Sequence, residues 1–276
     1  MIKYFSFFLV CHLINDFVLQ TDSIAKCKEK KILFSKEKLV KLSTHVIILF
    51  LTSILFYFFQ SKLFLSLMDC HIIIKSAFFI SLAHLVIDWI KPYNKLFNTL
   101  KFEQIYIYLF DQLLHLLTIY FVLCYFLPKS YLTIFQLEKL SDYSPSNATT
   151  FFLVLSVCII TTFFGAYFIK LFLLGMNLKP QKRENIKNKK TKNKKTTEED
   201  ILGVGKIIGL LERILITVLV SIDAYAGVAT VIALKSLARF KNIEKDRDFA
   251  EYYLVGNLLS LTFSIFGGLI IKFLLF

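Results

Sequence analysis

The chain has 276 residues, of which 56% are hydrophobic and only 19% charged, with 30 Phe; water-soluble domains sit near half apolar and a quarter charged, so these proportions exclude an ordinary soluble fold in favour of one solvated by lipid. The formal charge of +13 does not point to nucleic acid, because the lysines fall in short blocks between apolar runs, where they act as topology signals. Five cysteines stand singly, with no CxxC pair, and no role follows from them.

Eight apolar runs lie near 2–20, 43–60, 71–90, 104–127, 150–174, 201–221, 224–240 and 250–275. At about 1.5 Å per residue each approaches the roughly 30 Å of a hydrocarbon core, although 2–20, 43–60 and 224–240 are near the short limit. They predict an all-α polytopic transmembrane helix bundle of about eight helices in two halves. The first run carries only Lys3 before it and is interrupted by His12 and Asp16, so it is expected to remain as a helix rather than be cleaved as a signal peptide.

Loop charge supports the count. Segments 21–42, 91–103, 177–200 and 239–251 hold 7, 3, 9 and 4 basic residues, against 1, 2 and none in 61–70, 128–149 and 221–223. Basic connections stay on the cytoplasmic side, which places both termini outside and the basic loops inside a bacterial inner membrane. Four regions follow: a four-helix membrane domain over 1–128, an outer loop and fifth helix over 129–176, a basic cytoplasmic linker over 177–200, and a three-helix region over 201–276. The linker core, KPQKRENIKNKKTKNKK from Lys179 to Lys195, is polar and low in complexity, as flexible linkers are. Segment 21–42 mixes seven lysines with Ile24, Ile32, Leu33, Phe34, Leu39 and Val40, a composition suited to the inner membrane surface.

Two strings repeat, HLINDFV at 12–18 and HLVIDWI at 84–90, each followed by a later histidine, His45 and His115. They predict a duplicated helical hairpin whose copies enter from the same side. Residues four apart share a helix face, so His12 with Asp16, His84 with Asp88, and Asp111 with His115 form three His/carboxylate edges. With His45 they make seven groups expected at one depth, in the cytoplasmic half of the first four helices. An ionised Asp in mid-membrane costs about 2.5–3.5 kcal/mol on insertion scales, and three such costs need compensation. A divalent cation supplies it, and mixed imidazole and carboxylate ligands favour Zn, Mn or Fe over Mg or Ca. Seven groups exceed one tetrahedral set, so one or two ions are expected. The plainer reading is a His/Asp hydrogen-bond network that locks the helices without metal.

Around these residues, Gln20 is placed to orient Asp16, Gln112 adjoins Asp111, and Lys26 and Lys91 lie just past helix ends where they would attract an anionic head group, or simply snorkel to the interface. His71 has no carboxylate at helical spacing and reads as interfacial. In the second half, Glu212, Arg213, Lys235, Arg239 and Glu251 are expected to pair among themselves, and Gly205 with Gly209 reads as a helix-packing face. No GxGxxG, P-loop, nucleophile elbow or HExxH occurs.

The strings HLINDFVLQTDSIAKCK, HLVIDWIK and DQLLH, and in the second half GLLERILI, ALKSLARF and EYYLVGNLLS, resemble the bacterial membrane family of domain-of-unknown-function 3307. That resemblance brings no activity with it. In type, though not in an aligned motif, the pattern also looks like membrane-bound metal-dependent hydrolases. The function expected is therefore a metal-dependent hydrolase of the inner membrane. His12, Asp16, His45, His84, Asp88, Asp111 and His115 would hold the metal, with Asp16, Asp88 or Asp111 as general base. The expected partners are the lipid bilayer and a lipid head group or phosphorylated small molecule, held by Lys26 or Lys91, with no specific nucleic acid. The alternatives are a cation or proton transporter and a non-catalytic structural membrane subunit.

Overall fold

Without water to bond to, a backbone in lipid must satisfy its own N–H and C=O groups, which for apolar runs of this length means helix. The computed structural model describes residues 1–28, 35–64, 68–90, 103–127, 147–176 and 195–276, and no strand occurs among them. The elements are α1 (Ile2–Leu13) continuing into a π-helical turn (Ile14–Val18), α2 (Asp22–Lys28), α3 (Lys36–Phe64), α4 (Cys70–Ile90) and α5 (Glu103–Phe126). Then come α6 (Asn147–Ile159), a second π-helical turn (Ile160–Phe164), α7 (Gly165–Gly175), α8 (Lys195–Ser221), α9 (Tyr225–Lys245) and α10 (Arg247–Leu275). Lys91, residues 29–34, the stretch 128–146 where an outer loop is expected, and the basic stretch 177–194 lie outside the described residues, as does the side chain of Lys26.

Each of the eight apolar runs falls on a helix, and five helices are long and apolar enough to cross a membrane: Lys36–Leu63, Cys70–Ile90, Glu103–Phe126, Asn147–Gly175 and Arg247–Leu275. The chain is a multi-pass membrane protein. The other three helices differ for identifiable reasons. Helix α1 is 12 residues long, α8 carries Lys206, Glu212 and Arg213 within its apolar part, and α9 carries Lys235, Arg239 and Lys241. On the spanning helices Leu51, Leu55, Phe58, Phe78, Leu82 and Phe121 are among the large apolar side chains left exposed, and so broad an apolar exterior fits contact with lipid tails.

Two compact units divide the chain, Met1–Ile159 and Ile160–Phe276. In the first, α1 is buried on nearly every side, with Phe7, Phe8, Val10, Cys11 and Leu13 all inside, as expected of a helix apolar all round. It packs on α3, α5 and α6, with Phe7 edge-on to Phe8 and Phe152. Pairing of α3 with α4, and of α4 with α5, completes the bundle. Helix α4 starts where the Asp69 carboxylate accepts from the backbone N–H of His71 at 2.9 Å, a side-chain N-cap, and His71 itself is exposed.

In the second unit α8 packs on α10 through Ile216, Val220, Leu261 and Ile265. Among the described residues no other helix packs on the expected face at Gly205 and Gly209. Gly205 has nothing within 4 Å of an added Cβ among the described residues, and at Gly209 the nearest neighbour is Nη1 of Arg213 at 3.6 Å. The close approach falls instead at Gly268, where a Cβ would sit 2.6 Å from Val220 Cβ and 2.7 Å from the Thr217 carbonyl oxygen. Of the charges expected to pair, Lys235 bridges to Glu212 at 2.5 Å, whereas Glu251 pairs with Arg247, one turn away, at 3.1 Å. Arg213 is buried and donates from Nε to the Thr162 carbonyl at 3.1 Å, inside the second π-helical turn, where the widened helix frees carbonyls from the usual ladder.

Candidate metal centre

The seven His and Asp residues singled out from the sequence meet in the first unit. Helix α1 with its π turn brings His12 and Asp16, the early part of α3 brings His45, the late part of α4 brings His84 and Asp88, and the early part of α5 brings Asp111 and His115. No side chain of the seven is more than 6% exposed. A burial this deep, for three carboxylates, demands compensating charge.

Three sets of ligand atoms converge within 4.8 Å: Asp16/His45/His84, Asp88/Asp111/His115 and His12/His84/His115. The first two share no residue. Within the first, Asp16 Oδ1 lies 3.0 Å from His45 Nε2 and 3.3 Å from His84 Nε2; within the second, His115 Nε2 lies 3.8 Å from Asp111 Oδ1. Asp88 Oδ2 approaches His84 Nε2 at 3.4 Å and so joins the two sets. The rings of His84 and His115 stack at 4.0 Å, and that of His12 lies 4.9 Å from His115 and 5.4 Å from His84.

The repeated strings fold differently. His84 and Asp88 keep the one-turn spacing of an α-helix, but the π-helical turn over Ile14–Val18 carries Asp16 onto His45 and His84. Asn15, where the second copy has Ile87, is fully buried and its Nδ2 reaches His45 Nε2 at 3.1 Å. Gln112 donates to Asp111 Oδ2 at 3.3 Å. The described hydrogen bond of Gln20 is to Lys28, whose Nζ donates to its Oε1 at 2.9 Å, and not one that it donates to Asp16.

Lys28 is the group that the sequence reading missed. It projects from α2 into the cluster, buried to 4% exposure, with Nζ 2.7 Å from Asp88 Oδ2, 3.0 Å from His45 Nε2 and 3.9 Å from Asp16 Oδ1. One imidazole nitrogen offers one lone pair or one proton, yet His45 Nε2 has Asn15, Lys28, Asp16 and His84 all within 3.2 Å. Its neighbours outnumber what hydrogen bonding can use. Conversely, His12 Nε2 and His115 Nε2 are buried without a hydrogen-bond partner among the described residues. Imidazole and carboxylate atoms convergent, shielded and incompletely bonded suit a borderline divalent ion.

Residues 4–141 match the family described as protein of unknown function DUF3307. The chain belongs to that family. All seven cluster residues, and Asn15, Gln20 and Lys28, fall inside the DUF3307 match. No curated protein and no solved structure matches the chain.

Proposed function

We propose that this DUF3307 chain is a metal-dependent hydrolase of the bacterial inner membrane, with the buried His/Asp cluster as its active site near the cytoplasmic face. The observation that carries the reading is the pair of disjoint sets, Asp16/His45/His84 and Asp88/Asp111/His115: separate first ligands for two ions, with His12 beside both. Zn, Mn or Fe is the class of ion that such mixed sets select. When bound, an ion there supplies Lewis acidity and lowers the pKa of coordinated water to about 7. The chain supplies the rest. A carboxylate oxygen of Asp16, Asp88 or Asp111 not engaged by an ion takes the proton of the attacking water, Gln112 holds the Asp111 carboxylate in place, and the apolar packing of α1 keeps bulk water out. Loop charges support both termini outside and eight crossings, with the cluster in the cytoplasmic half.

Metal analysis of detergent-purified protein tests this. His84 belongs to two of the three sets, so His84→Ala is expected to remove most of the bound Zn, Mn or Fe, and Asp88→Ala a substantial part. Wild-type protein holding no more metal than either variant would defeat the proposal and leave a hydrogen-bond network. With metal retained, turnover of phosphate or carboxylic esters by the purified protein is expected, and cation flux in proteoliposomes without turnover would assign transport instead.

A further inference from the structure

Lys28 spans the two metal sets, since its Nζ touches Asp88 of one and His45 of the other. Those are residues that ions would claim. With the single lone pair of His45 Nε2 taken and the charge of Asp88 shared with an ion, the ammonium, which has three protons to donate, keeps Gln20 Oε1 as the described acceptor for which no ion competes. The charge balance points the same way. Three carboxylates against one ammonium are neutralised by a single divalent ion, whereas two ions leave a closed, buried site with two positive charges in excess. A charge imbalance of that size is not sustained in a low-dielectric interior. Ionisation of one coordinated water removes one of these charges; a bound dianion corrects the balance without it, and a neutral carboxylic ester does not.

Resting on the two-ion reading above, we propose that Lys28, oriented by Gln20, is the binding residue for a terminal phosphoryl dianion, so that the substrates of the site are phosphate monoesters or diphosphates. The helix that carries it fits the role. On α2, Ile24, Cys27 and Lys28 are buried while Ser23 is exposed, so one face of a short helix seats the ammonium in the cluster. An ammonium on a flexible stem follows the anion as the ligands rearrange, where a rigid guanidinium fork would not.

The test is calorimetric binding of inorganic phosphate to full-length, Mn-loaded protein in detergent, with metal content measured on the same samples. Lys28→Gln is expected to keep the metal and weaken phosphate binding by about tenfold or more, the usual size for losing a charge-assisted hydrogen bond. Gln20→Leu, which leaves the charge, is expected to weaken it by about threefold to tenfold. Phosphate affinity within twofold of wild type in a metal-retaining Lys28→Gln protein overturns the proposal. If Lys28→Gln loses its metal, unchanged affinity in Gln20→Leu overturns it instead. Wild-type protein without metal marks failure of the two-ion reading itself, and so is distinguishable. Competition by bicelles of phosphatidate, but not of phosphatidylcholine, assigns the dianion to a lipid head group; competition by soluble monoesters alone assigns it to a soluble substrate.

Discussion

Asp88→Ala in metal-stripped protein is expected to cost about 3–5 kcal/mol of stability, the usual consequence of removing one partner from a buried ion pair. Asp88 is fully buried, and its Oδ2 lies 2.7 Å from Lys28 Nζ. Without that carboxylate the ammonium still has Gln20 Oε1 at 2.9 Å and His45 Nε2 at 3.0 Å, both neutral partners, and its nearest described carboxylate oxygen, that of Asp16, lies at 3.9 Å, too far for a hydrogen bond. Glu251→Ala removes a pair of similar length, Arg247 to Glu251 at 3.1 Å, but both side chains are more than half exposed, and such pairs contribute about 0–1 kcal/mol. The comparison is a detergent melting curve for each variant. Adding Lys28→Met to Asp88→Ala should recover much of the loss, because the stranded charge and not the missing contact carries the cost. Equal melting midpoints for Asp88→Ala and Glu251→Ala would show that the pair is not buried as described.

The second large effect is steric. Gly268→Ala sets a Cβ 2.6 Å from Val220 Cβ and 2.7 Å from the Thr217 carbonyl oxygen. Neither is the end of a flexible side chain, so α8 and α10 must separate, at a cost of about 1–3 kcal/mol or more. Gly205→Ala meets nothing within 4 Å among the described residues and gains about 0.8–1 kcal/mol of helix propensity. Opposite shifts in melting midpoint are therefore expected from the same chemical change on two helices of one unit. A Gly268→Ala protein as stable as wild type would mean that the helices do not approach there.

These two cases also show what was legible in the sequence. The three His/carboxylate edges stood out because a charged group in an apolar run is costly, so its position and spacing carry information. His45 followed from the repeat. Lys28 did not stand out, being one of seven lysines in 21–42, a count that by itself reads as surface charge; its burial follows from α2 packing back on α3, which no spacing announces. The glycine pattern misled for a related reason. Spacing identifies a face with room for close approach but not what stands opposite, and among the described glycines the tightest approach is at Gly268. Pairing of Glu212 with Lys235 was legible in kind, as buried charges of opposite sign seek one another, while the turn of Arg213 toward a backbone carbonyl depended on a π-helical turn that no residue pattern announces.

The first π-helical turn makes chain length itself a requirement of the site. A turn of this kind holds one residue more than the α-helical turn it replaces, and one residue of helix corresponds to about 100° of rotation. Deleting a neighbour of Asp16 within Ile14–Val18 would let the turn rewind to α-helix; the flanking helix would stay in phase, while the residues inside the turn, Asn15 and Asp16, would be re-aimed away from His45 and His84. HLINDFV and HLVIDWI therefore look exchangeable as strings, yet a graft of the second onto the first would put Ile where Asn15 meets His45 and would favour a straight helix where the centre depends on a swollen one.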